Sequence, residues 1–301
     1  MTLDRRKFVQ AMFAASQVGL LASLCSGDEK KVLSAAPRLL SKGDRSPAQP
    51  RFLTTSVSTG SISAPRLTCP SVDYRGWETW DDVGTVMRKA PSCAMCQSWL
   101  SIPEQKLRPG TVAVAHYKND LIVYAELTDD DIFNPVKMNG VDAFTRGDVI
   151  EIFLQAEGED NYLEHHITPD NYILQLRWPS VTVVKKLVED TNAGKRVDYL
   201  NLYASHIPIR SQTLAQSDLS LWRVLAVVPL DLLTSRPKNV IPRDWSFSFS
   251  RYDYTQGQKQ PVLSSTSALK APNFHELTSW GRLSLVGLPA ASTQVLRNRD
   301  S

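Results

Sequence analysis

Trp245-Ser246-Phe247-Ser248-Phe249-Ser250 is the stretch on which the fold turns. Its rings fall at every second position with hydroxyls between them. Successive side chains of an extended chain point to opposite faces, so this spacing predicts a half-buried strand with its aromatic residues in the core. Working outward, residues 112–117 (VAVAHY) and 121–127 (LIVYAEL) are strand-like, and Lys118-Asn119-Asp120 between them supplies the turn of a hairpin. Residues 149–154 (VIEIFL) follow Gly147-Asp148. Residues 162–167 and 172–178 flank Thr168-Pro169-Asp170-Asn171, a second turn signature. A strand over 222–228, with Trp222 in the core, ends at Pro229, and 281–286 closes the series. Helical patterns are short, as at 229–234. The set predicts an all-β fold: an antiparallel β-sandwich of two sheets, jelly-roll or immunoglobulin-like in kind, with few short helices.

The totals agree with one large domain plus tails. Of 301 residues, 42% are hydrophobic, enough for a sizeable core. Lys and Arg number 34 against 31 Asp and Glu. The resulting +3 is spread along the chain and excludes a nucleic-acid footprint. Residues 1–25 stand apart: Arg5, Arg6 and Lys7 precede an apolar run over 11–24, the pattern of a secretory signal too short for a membrane span. Arg5-Arg6 with Phe8 resembles a twin-arginine export signal, with Asp4 where Ser or Thr is usual. Ala22-Ser23-Leu24-Cys25 resembles a lipoprotein box, with Leu24 in place of a small residue. The protein is therefore expected in the periplasm, at the cell surface or outside the cell, touching membrane only through this signal or a lipid anchor. Residues 26–66 read as a flexible linker, 67–290 as the β-sandwich and 291–301 as a tail.

Catalytic patterns are hard to find. Sugar hydrolysis usually needs two carboxylates facing across a cleft. Asp148 and Glu151, three apart on one strand, point to opposite faces, and no sequence argument pairs Glu126 with Glu151. There is no GxSxG elbow, no cysteine with a recognisable histidine partner and no Gly-rich phosphate loop. His165 and His166 are adjacent on a strand, so they face opposite ways and are expected to be satisfied or solvated. Asp129, Asp130 and Asp131 follow a strand, and hard oxygen ligands clustered on a loop make them a candidate calcium site, with a plain solvated turn as the alternative. No other cofactor is required. Cys93 and Cys96 have CxxC spacing, but a zinc site lacks its second pair and Gln97 stands where heme attachment needs His; a structural disulfide or inert thiols are expected.

Five ordered segments resemble the family 9 carbohydrate-binding modules. They are residues 123–129 (VYAELTD), 147–154 (GDVIEIFL), 162–164 with 167–171 (YLE…ITPDN), 222–230 (WRV…VPL) and 245–251 (WSFSFSR). Residues 264–266, 274–275 and 280–281 look like the closing part of a bacterial subset of that group. The resemblance covers about residues 60–290 and implies non-catalytic binding of a polysaccharide or oligosaccharide, association with polysaccharide utilisation, and a place for calcium.

Sugar rings present apolar C–H faces that stack on aromatic rings, while their hydroxyls need polar partners at the rim. Trp178, flanked by Arg177 and sharing a strand face with Tyr172, suits both tasks. Tyr252, Tyr254 and Arg251, with Asp253, form a second cluster beyond the Trp245 strand. Beside a purely structural envelope or interaction protein, two further alternatives remain at this stage. One is a glycoside-active enzyme with an unrecognised site. The other is a cofactor-binding electron-transfer domain related to the DOMON sandwiches, for which Met138 with His165 or His166 would be the axial ligands.

Overall fold

The computed structural model describes residues 63–74, 77–193, 195, 200–237 and 240–288. The expected export signal, most of the linker and the C-terminal tail lie outside the described residues. Twelve strands are present among them: β1 (Arg66–Cys69), β2 (Ser92–Ala94), β3 (Gly110–Tyr117), β4 (Asp120–Thr128), β5 (Val149–Ala156), β6 (Tyr162–Ile167), β7 (Ile173–Trp178), β8 (Arg210–Gln216), β9 (Leu221–Pro229), β10 (Asp244–Asp253), β11 (Val262–Ser265) and β12 (Gly281–Leu285). One sheet runs β1-β12-β10-β5-β6-β7 with β11 also paired to β10, and the other runs β2-β3-β4-β9-β8. All pairs are antiparallel except β1 with β12. This is the predicted two-sheet β-sandwich.

Each strand read from the sequence is present, and both predicted turns sit where turn chemistry put them. Lys118 and Asn119 join β3 to β4, with Tyr117 paired to Asp120. Asn171 closes the β6–β7 turn at φ 60°, a left-handed conformation that Asn tolerates better than most residues. The structure adds β1, β2, β8 and β11 and two helices longer than expected, α1 (Trp80–Met87) and α2 (Val181–Asn192). The start of α1 was encoded locally. The Thr79 hydroxyl accepts from the Asp82 amide (3.2 Å) while the Asp82 carboxylate accepts from the Thr79 amide (2.9 Å).

The rings of β10 do what their spacing predicts. Trp245, Phe247 and Phe249 are buried between the sheets with Val114, Val123 and Trp222, and β10 aligns with β5 so that Phe247 faces Leu154 and Phe249 faces Ile152. The alternate serines do not reach solvent. Ser246, Ser248 and Ser250 are buried too, under the strap that runs from β11 to β12. The Ser267 hydroxyl bonds Ser248 at 2.8 Å, and Ser265 lies 3.2 Å from both Ser248 and Ser250. Partnering hydroxyls with one another removes most of the cost of drying them. A second apolar layer forms on this outer face from Phe144, Phe153, Tyr162, Leu176, Trp178, Phe274 and Trp280.

His165 departs from expectation. It points between the sheets, is fully buried, and neither ring nitrogen has a partner among the described residues. Burial pushes its pKa down to about 3 from 6.5, with His166 adding to the effect. Below about pH 6.5 the unfolded chain takes up a proton that the folded ring refuses, so His165 makes the fold lose stability as pH falls from 6.5 towards 3. Replacing His165 with Leu should raise the unfolding free energy at pH 7 by about 1 kcal/mol, because an unsatisfied polar ring becomes an apolar one. The gain should widen on acidification; urea midpoints of both proteins at pH 7, 5.5 and 4.5 check this.

Candidate functional site

Three adjacent strands of the larger sheet aim polar side chains at its outer face. Because β5, β6 and β7 are joined by short turns, their register is fixed: Glu151 lies opposite His166, and Tyr162 lies opposite Trp178. Alternation then puts Tyr162, Glu164 and His166 in one row on β6, Glu151 and Phe153 beside them on β5, and Tyr252 on the same face of β10. Phe144, from the short turn Ala143–Thr145, and Pro272, Phe274 and His275, from the strap before β12, close over this row. They enclose a cavity of about 10 Å3 lined by Phe144, Glu151, Glu164, Tyr252, Phe274 and His275. That is the room one water needs.

The cavity floor is a buried acid–imidazole network. His166 Nε2 lies 2.5 Å from Glu164 Oε1 and 3.1 Å from Glu151 Oε1. The other Glu164 oxygen accepts the Trp178 indole N–H at 2.5 Å and lies 3.6 Å from His275 Nε2, while His275 Nδ1 and the Tyr162 hydroxyl share a 2.8 Å hydrogen bond. Burial raises the pKa of Glu151, and the neighbouring Glu164 adds to this against the pull of His166. Burial also pushes Glu164 up, but His275, His166 and the Trp178 N–H outweigh it and hold the carboxyl below its ordinary value. The same desolvation acts downward on His166, where Glu151 and Glu164 overcome it and the net shift is upward. Two nearly identical groups are thus pushed apart by their surroundings.

Of the sugar-binding candidates drawn from the sequence, Tyr252 alone borders this cavity, beside Glu151, which was weighed there as a carboxylate of a hydrolytic pair. Trp178, expected to offer a face to sugar, is 1% exposed; its ring stacks on Tyr162 and its N–H holds Glu164. It positions the site from beneath. Arg177 sits on the opposite face of β7, its Nε donating to Asn161 Oδ1 at 3.1 Å. Tyr172 precedes β7 and packs half-buried at a different hollow, with Val136 and Met138. Tyr254 is buried, and its hydroxyl donates to the Phe144 carbonyl at 3.0 Å, which anchors the turn carrying Phe144. Arg251 follows the parity of Phe249 and is wholly buried between the sheets, donating to Asp129 (2.9 Å) and the Thr128 carbonyl (2.8 Å) and lying 3.1 Å from Asp253. Paired burial removes Arg251 from any ligand surface. Sequence reading missed Glu164, His166, Phe144, Phe274 and His275. The first two were within reach: the turn at Thr168–Asn171 and strict alternation put both on one face.

The three consecutive aspartates diverge. Asp129 turns inward to Arg251, Asp130 is exposed and paired with Arg108 at 2.5 Å, and Asp131 accepts from the Gln256 amide at 2.7 Å. In their place, Asp129, Asp148 and Asp253 bring carboxylate oxygens within 4.8 Å of one another. Asp148 accepts backbone N–H from Phe133 (2.5 Å) and Tyr254 (2.7 Å), and burial beside Asp129 drives its pKa up. An all-oxygen, carboxylate-rich set with one guanidinium nearby fits a hard cation such as calcium. The axial-ligand idea does not fit. Met138 and His166 border one hollow with no internal volume, and His165 faces the other way, so a macrocycle has no space between them. Cys69, Cys93 and Cys96 are free thiols, and burial raises Cys69 and Cys93 to about 12.

Because Trp178 is a packing and positioning residue, Trp178→Ala should cost about 3–5 kcal/mol of stability by opening a large void. Trp178→Phe should keep most of the packing while releasing one Glu164 oxygen. Chemical unfolding of the two variants measures the difference.

No family model matches this sequence, and no curated protein matches it. Among solved structures, a protein of Bacteroides uniformis, provisionally described as carbohydrate-binding, aligns with 74% of this chain and all of its own length, at 14% identity and a TM-score of 0.56. Two structures of a family 9 carbohydrate-binding module from Caldicellulosiruptor kristjanssonii, one with cellotriose and one with glucose, align at 13% identity and a TM-score of 0.47, over 78% and 76% of this chain and 100% and 99% of theirs. The chain therefore shares its β-sandwich fold with the Bacteroides protein.

Proposed function

We propose that this protein binds carbohydrate through the outer-face cavity of its larger sheet and does not cleave it. The observation that carries this reading is the cavity itself. Aromatic rings of Phe144, Tyr252 and Phe274 surround polar groups held in place by a fully buried network. Concave sites that join aromatic walls with a few fixed polar groups suit sugars, whose rings have apolar faces and polar edges. The shared fold adds support by analogy only. Access requires the strap carrying Pro272, Phe274 and His275 to move, since the closed cavity is smaller than a sugar ring. The Arg5-Arg6 signal would place this activity outside the cytoplasm, in polysaccharide use. Asp129, Asp148 and Asp253 would hold calcium, bracing β4 and β5 at the end of the site.

One observation favours a second reading. Glu151 and Glu164 have oxygens within 4.8 Å, and their pKa values are driven in opposite directions, as in a glycosidase acid and nucleophile pair. Against this, both Glu164 oxygens are already engaged by His166 and Trp178, which leaves none free to attack. Binding is the better account.

In native gels cast with a panel of polysaccharides, the protein should be retarded without releasing reducing sugar. Phe274→Ala, verified as folded, should weaken retardation by up to about tenfold, at the top of the ~0.5–1.5 kcal/mol expected for one lost stacking ring. Sugar release abolished by Glu164→Gln would establish the enzyme instead, and uniform mobility in every glycan would sink the binding reading. Calcium should raise the melting temperature and EDTA lower it, with Asp148→Asn abolishing the difference.

A further inference from the structure

The chemistry of the cavity wall selects among sugars. Hydroxyl groups both donate and accept, so a site for a neutral sugar normally offers donors such as Arg, Lys, Asn or Gln alongside acceptors. Among the described residues, no Arg, Lys, Asn or Gln lines this cavity. It offers two carboxylates, a tyrosine and an imidazole among aromatic faces. Glu151 is 2% exposed, yet among the described residues its one close polar partner is His166, 3.1 Å from a single oxygen. The Tyr252 hydroxyl, likewise buried, makes no hydrogen bond among the described residues and faces the same wall.

The rings are arranged as a cage. Phe144 and Tyr252 stand 5.5 Å apart at 57°, Tyr252 and Phe274 5.5 Å apart at 86°, and Phe144 and His166 5.5 Å apart at 86°. Aromatic side chains border the void on several sides, and an aromatic face attracts a cation more than a neutral hydroxyl. The void of about 10 Å3 matches one water, and hence one ammonium group, and is far too small for an acetamide. An ammonium carries three donors, which the oxygens of Glu151, Glu164 and Tyr252 can accept.

We propose that the cavity seats the protonated amine of an amino sugar, its three N–H groups directed at Glu151, Glu164 and the Tyr252 oxygen within the Phe144–Tyr252–Phe274 cage. The inference rests on the carbohydrate reading and names its substrate class: glycans with free amino groups. Their acetylated and neutral counterparts lack both the charge and the fit. The strap would close again over the amine, leaving the ring of the sugar outside the cage against Pro272.

Titration calorimetry of the whole protein in EDTA, at about pH 6 where a sugar amine is charged, tests this with four probes. They are glucosamine, a fully deacetylated glucosamine trimer, its N-acetylated equivalent and cellotriose. The deacetylated trimer should bind at least about tenfold tighter than the acetylated one, a difference of about 1.4 kcal/mol. The preference should shrink as salt rises and should vanish in Glu151→Gln. Equal affinity for the acetylated, neutral and amino trimers overturns the amine proposal and leaves carbohydrate binding intact. Binding by none of them removes both. Amine binding that appears only when zinc replaces EDTA would assign the Glu151–Glu164–His166 group to a metal and also overturn the proposal. The wild-type panel decides the matter even if Glu151→Gln fails to fold.

Discussion

A sheet that is dry on both faces must satisfy every polar group it carries from within the protein. That constraint governs the larger sheet here. Its inner face packs on the five-stranded sheet through Trp245, Phe247 and Phe249, and its outer face is roofed by the turn around Phe144 and the strap before β12. Polar residues on the outer face cannot turn to solvent. The serines of β10 and β11 therefore bond one another, and Glu151, Glu164, His166, His275 and Trp178 form a shared buried network. Buried networks of this kind are stiff when complete and costly when broken. The site inherits its geometry from the need to keep these groups paired.

The same logic applies between the sheets at one end of the sandwich. Arg251 occupies a position that its neighbours fill with phenyl rings, and three carboxylates gather around it. Truncating one member of such a group leaves the others buried without compensation, which is far worse than replacing the group outright. Asp129, just after β4, ties the smaller sheet to β10 of the larger one through Arg251. His165 departs furthest from the constraint: among the described residues neither nitrogen of this core imidazole has a partner, which the surrounding packing must outweigh.

The proposed site joins features that are individually ordinary. Buried carboxylates stabilise folds in many settings, and aromatic rings fill cores. Here they converge on a void with ring faces on one side and acceptor oxygens on the other. One wall comes from regular strands held by long ladders, and the other from a strap whose helical content is the single turn Leu277–Ser279.

The sequence by itself determined the strands, because alternation and turn residues act locally. The β10 rings, the Lys118-Asn119 turn and Asn171 each carry their conformation in their own chemistry. It also made Trp222, Trp245, Phe247 and Phe249 core. It did not reveal which face of a strand would meet water, since period two marks two faces without naming their environments. Trp178, Tyr254 and Arg251 read as surface groups for that reason; loops over the outer face buried the first two, and the opposing sheet buried Arg251. Glu151 and Glu164, thirteen positions apart, became a pair through the register of β5 on β6. Phe274, more than a hundred residues further on, joined them by long-range closure. Such contacts depend on how loops fold over sheets, a matter of total packing that no local pattern encodes.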